Sequence, residues 1–249
     1  MRSFVTLARR ELASFFVSWT GYVIIAAVAF LLGLSFVIVM GSLRTETSLP
    51  VTEVFYDTMF FWLILLPVMP VITMRLFAHE KFSGTFETLM TTPVSDRDVV
   101  LAKFTAALVF YLAMWTPLLA CIFIIRHFTN DPTALEPGAI VGTFLGITLV
   151  GCLFLSLGCF SSALTRSQII AAMISFAGGM GLFVLSFLRH RVELNTGWVG
   201  QALYCLAMAD HMEDFARGVV DTRAVVFYLS FSAFFLYLTL RVVESRRWK

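Results

Sequence analysis

The chain has 249 residues, of which 59% are hydrophobic, 26 are Phe and only 14% are charged, where a soluble domain carries about 25% charge. A soluble monomer of this size has no means of covering so much apolar surface with polar groups. A net charge of +2 and four Cys further exclude a basic nucleic-acid binder and a disulfide-framed secreted domain, which leaves an integral membrane protein.

In chain order, residues 3–18 come first. Phe4, Leu7, Ala8, Leu12, Phe15 and Phe16 fall on one helical face, with Arg2, Thr6, Arg9 and Arg10 mostly on another. That pattern predicts an amphipathic interfacial helix. Residues 19–40 follow without a charge, and a helix needs about 20 residues to cross the hydrocarbon. Ala27-Val28-Ala29 resembles a signal-peptidase site, but it lies in mid-span with further uncharged residues after it, so an uncleaved first span is expected. The second span is expected over residues 54–74, with Asp57 inside it and Pro67 and Pro70 in its body. Asp57 is either a proton or substrate group, or a residue at headgroup level.

The loop over residues 75–103 is too long for a tight turn and is patterned. Residues 83–91 are expected to form two turns of helix, stopped by Pro93. Glu80 and Glu87 bring negative charge near its start, and Phe82, Phe86, Leu89 and Met90 give it apolar contacts. Ser95-x-x-Asp98 offers a helix start. A segment this apolar is a candidate docking surface for a cytosolic partner, set against a plain solvated loop.

Further spans are expected over residues 104–125 (with Pro117), 139–165, 167–188 and 224–243. Gly142-x-x-x-Gly146 permits close helix contact, either as a dimer or gate seam or as packing within the chain. Pro67, Pro70 and Pro117 are candidate kinks in helices that move, or static bends. Residues 198–207 are nearly apolar and too short to cross, which suits a re-entrant or interfacial helix, and residues 210–213 offer a second helix start. The fold class is therefore all-α, with six transmembrane helices in a single transmembrane domain over residues 1–249. With both termini inside, 12 of the 18 Lys and Arg lie on the cytoplasmic side, as the positive-inside rule requires.

Catalytic chemistry is not legible. The sequence holds no Gly-x-x-x-x-Gly-Lys-[Ser/Thr] phosphate loop, no Gly-x-Ser-x-Gly, and no His or Cys at metal-ligand spacing. No catalytic, metal or cofactor residue is expected. A membrane-embedded enzyme and a secondary carrier both lack their expected signatures.

With those residues set out, the chain resembles the permease subunits of ABC-2 type transporters, nearest the branch that includes the gliding-motility permeases. The likeness is carried by Arg9-Arg10-Glu11-Leu12, Glu80-Lys81, Gly84-Thr85-x-Glu87-x-Leu89, Thr92-Pro93-Val94-Ser95, Val100-Leu101-x-Lys103-Phe104 and Gly218-Val219-Val220-Asp221-Thr222-Arg223. The resemblance implies that residues 83–91 are a coupling helix seated on an ATPase and that residues 198–217 are short outer helices that dip into the membrane and close the exit. Glu80, Lys81, Phe82, Gly84, Thr85, Phe86, Glu87, Leu89 and Pro93 would then form the docking site. It implies two ATPase subunits that hold ATP and Mg, a second permease copy or paralogue, and a bacterial plasma or inner membrane location. An extracytoplasmic accessory protein is a further expected partner beside membrane lipid; nucleic acid is not. The activity implied is ATP-driven export, with mechanical transmission to an extracytoplasmic partner as the alternative.

Overall fold

The computed structural model describes residues 2–42, 59–86, 94–129, 137–191 and 206–245. These form ten helices and no strand: α1 Arg2–Val17, α2 Trp19–Ser42, α3 Phe60–Thr73, α4 Ala78–Ser83, α5 Asp96–Met114, α6 Thr116–Thr129, α7 Pro137–Leu164, α8 Gln168–Arg191, α9 Met208–Ala216 and α10 Thr222–Ser245. Six segments are long and apolar enough to span a membrane. They begin at Trp19, Phe60, Asp96, Pro137, Gln168 and Thr222. Successive spans reverse direction. The side holding α1, α4, the start of α5 and the α7–α8 turn is here the near side; the side holding α9 is the far side.

α7 is the centre of the bundle, and α3, α5, α8, α9 and α10 all pack on it. Small residues make this possible. A Cβ at Gly151 would strike the Tyr111 ring of α5, and one at Gly158 would strike Thr73 of α3. Between helices in lipid, such close approach replaces the missing hydrophobic drive. Tyr111, fully buried, donates its hydroxyl to the Ile147 carbonyl at 3.1 Å. α2, α8 and α10 turn apolar faces outward, among them Phe30, Val37, Ile169, Met173, Val226 and Phe234. Faces of that size are stable against hydrocarbon and not against water.

The second span is described from Phe60, preceded by Met59 at φ 57°; Asp57 lies outside the described residues. Pro67 and Pro70 sit inside a continuous α3. The third span starts at Asp96, eight residues before residue 104, because Ser95 caps it by accepting the Asp98 N–H at 3.2 Å. That span then breaks at Trp115. Pro117 has no N–H for the Ala113 carbonyl, which instead accepts from Thr116 Oγ1 at 2.8 Å.

Only Ser18 separates α1 from α2. α1 packs along α5, where Phe15 stacks on Phe110 with centroids 4.9 Å apart. The apolar face read from the sequence is therefore covered by a helix of the bundle.

Candidate functional site

The near-side segment from Met74 to Phe86 is held by four other helices. Ser162 of α7 accepts the N–H groups of both Phe77 and Ala78 at 3.1 Å and donates to the Met74 carbonyl at 3.2 Å. One hydroxyl thus fixes the turn and starts α4 where residues 77 and 78 have no cap of their own. Lys81 is buried and donates to the Ala163 carbonyl. That carbonyl belongs to the last turn of α7, where a cation meets both an orphan acceptor and the negative end of the helix dipole. Gln168 Nε2, at the start of α8, meets His79 Nδ1 at 3.0 Å.

Charge completes the fastening. Lys103 of α5 is 1% exposed, and its Nζ lies 2.7 Å from Glu80 Oε1 of α4 and 3.3 Å from Glu11 Oε1 of α1. Arg10 lies 3.0 Å from the same Glu11 oxygen. The Phe77 ring covers the ammonium, 5.5 Å from its centroid. A buried cation is stable only when paired and hydrogen-bonded. This cluster joins α1, α4 and the third span through one nitrogen.

The expected docking residues divide into two sets. Glu80 and Lys81 face inward and are engaged within the chain. Phe86 is 6% exposed, packed in the core, with Lys81 Nζ 5.3 Å from its ring centroid. Phe82, by contrast, is 78% exposed, and Ser83, Gly84 and Thr85 are exposed beside it. Of the expected helix over residues 83–91, Thr85 and Phe86 are helical and residues 87–91 lie outside the described residues; the helix before it is α4. It runs Ala78–Ser83 and ends at Gly84, which takes a left-handed conformation at φ 77°, the usual helix stop for glycine. Glu87, Leu89 and Pro93 lie outside the described residues. Sequence reasoning placed no weight on Ser162, Glu11 or Lys103 as parts of this site. Their only signal was a serine pair in an apolar span and charges within the family-like motifs.

The second set of candidates lies on the far side. Gly142 and Gly146 pack within the chain. A Cβ at Gly142 would collide with the Phe215 carbonyl of α9, and one at Gly146 would sit 2.9 Å from the Phe215 ring. These glycines lie five and nine residues into α7, about 7–14 Å along its axis. Met208, His211, Met212 and Phe215 are all buried there, and Ser186 of α8 accepts the Ala209 N–H at 3.0 Å. α9 is therefore a short helix set beside the spans. Of the expected outer helices over residues 198–217, residues 198–205 lie outside the described residues. Among the described residues, no group of His, Cys, Asp and Glu is disposed to hold a metal ion.

Six apolar helices, the glycine-lined α7 at their centre, with a polar hub at one end, define a multi-pass helical membrane protein. A family model described as ABC-2 family transporter protein matches residues 49–209. The chain belongs to the ABC-2 transporter family. The membrane domain of that family has no nucleotide-binding domain of its own and works with ABC ATPase partners in general. No curated protein matches the chain.

Proposed function

We propose that the protein is the permease subunit of an ABC exporter and that its near side is cytoplasmic, receiving the ATPase at Phe82 and the exposed Ser83–Thr85 turn. Two copies of the chain, or one copy and a paralogue, would form a twelve-span pathway above two ATPase subunits, which hold the ATP and Mg. The observation that carries this reading is the contrast within α4. Phe82 points out, while Glu80 and Lys81, the two residues before it, are tied to α1, α5 and α7. An exposed aromatic on a rigid mount is a suitable anchor for a partner cleft.

The same ties give the segment its mechanical role. A push on Phe82 passes through Lys103 to α5, through Ser162 and Lys81 to α7, and along the chain directly to α3, the second span. Moving these helices against α8 and α10 would open the path. The test is Phe82→Asp. Membrane insertion and thermal stability should stay as in the wild type, while co-purification of the ATPase is lost. Undiminished ATPase binding by that variant would place the docking surface elsewhere. Phe86→Asp is the poorer test, because burial of a carboxylate against the core would destabilise the chain itself.

A further inference from the structure

Between α1, the start of α2 and the near-side end of α3 lies a cavity of about 270 Å³. Its wall includes Phe15, Ser18, Thr20, Ile24, Val71 and Arg75, with Glu11, Glu80 and Lys103 beside them. The charges in and around it do not balance. Arg10 and Lys103 are matched to Glu11 and Glu80. Arg75 is matched, among the described residues, to neutral hydroxyls: its Nη1 donates to Thr20 Oγ1 at 2.7 Å and to Ser18 Oγ at 3.3 Å. Three cations against two carboxylates leave one positive charge, and it sits on Arg75. A guanidinium flanked by two hydroxyls at the positive end of the long helix α2 is a cradle for a phosphate oxygen.

The depth of the cavity selects the source of that phosphate. Trp19 and Tyr22, in the first turn of α2, are 86% and 61% exposed. Exposed Trp and Tyr at the end of a span mark the headgroup layer. Ser18, Thr20 and Arg75 therefore lie where lipid phosphates lie. Ile24 and Val71 line the same cavity one turn further into their spans, where acyl chains begin. We propose that this cavity binds the phosphodiester headgroup of a membrane glycerophospholipid from the near-side leaflet. The single negative charge of a phosphodiester neutralises Arg75, and the lipid so held wedges the α1–α2 bend against the end of α3. Basic pockets between spans are the usual form of such sites.

The test uses the full-length chain in detergent, titrated with dioleoyl phosphatidylglycerol and followed by native mass spectrometry. Arg75→Gln should weaken retention of that lipid about tenfold, as loss of a charged hydrogen bond does. The same variant should leave retention of dioleoylglycerol, which lacks the phosphate, unchanged. Added inorganic phosphate should not displace the bound lipid. If Arg75→Gln does not purify as a folded protein, the Ser18→Ala, Thr20→Val pair decides by the same comparison, with a smaller loss expected. Wild-type retention of phosphatidylglycerol in these variants would overturn the site. Displacement by inorganic phosphate would overturn the lipid assignment and make it a free-phosphate site.

Discussion

Lys103 shows how one side chain fixes three elements. It is 1% exposed, and its partners Glu80 and Glu11 come from different helices. Glu80 Oε2 is buried with no hydrogen-bond partner among the described residues, so this carboxylate depends on Lys103 at its other oxygen. Replacing Lys103 by Met should cost about 3 kcal/mol, the usual penalty for orphaning a buried charge. Thermal unfolding in detergent would read this loss, and adding Glu80→Gln should restore part of it. Wild-type stability in the single variant would show that the pair carries no weight. Ser162→Ala should cost about 1–3 kcal/mol, because two N–H groups and a carbonyl lose one shared partner. The charge of Lys103 was legible from the sequence as a basic residue at the end of a span. Its partners were not, because residue 103 meets residue 80 across 23 positions and no local pattern encodes that closure.

Among helices, runs of uncharged residues located every span, because hydrocarbon leaves the backbone no alternative to a helix. Boundaries were less legible where a distant residue sets them. α4 begins at Ala78 because Ser162 of α7 receives its first N–H groups, and a scan of residues 75–103 alone has no access to that serine. The Gly142-x-x-x-Gly146 spacing was legible as a close contact, but not the partner helix, which is α9. Gly142→Val should therefore act on α9. The added side chain meets the Phe215 backbone, which does not move aside as a side-chain tip does, and overpacking of this kind costs about 3 kcal/mol. The expected signature is a lower unfolding temperature together with new thiol reactivity at Met212→Cys, which is buried otherwise. Gly181→Val, where a Cβ meets nothing within 4 Å, is the matched control and should leave both unchanged.

At the scale of the whole molecule, the architecture is a central α7 with α3, α5, α8 and α10 packed on it and α2 outside them against α3, α5 and α6, one polar hub on the near side and one short buried helix on the far side. Family membership follows from residues 49–209, and in the function we propose the hub is the physical route for coupling. The docking residue we propose, Phe82, lies between the family-like Glu80-Lys81 and Gly84-Thr85 motifs. Sequence reasoning also assigned Glu80, Lys81 and Phe86 to an outside partner, since helical spacing alone does not say which face a neighbouring span will cover. The most direct measurement is site-specific photo-crosslinking in membranes that contain the native ATPase. A photoreactive residue at position 82 should give a permease–ATPase adduct, and one at the exposed far-side position 220 should give none. An adduct from position 220, or none from position 82, would contradict the account.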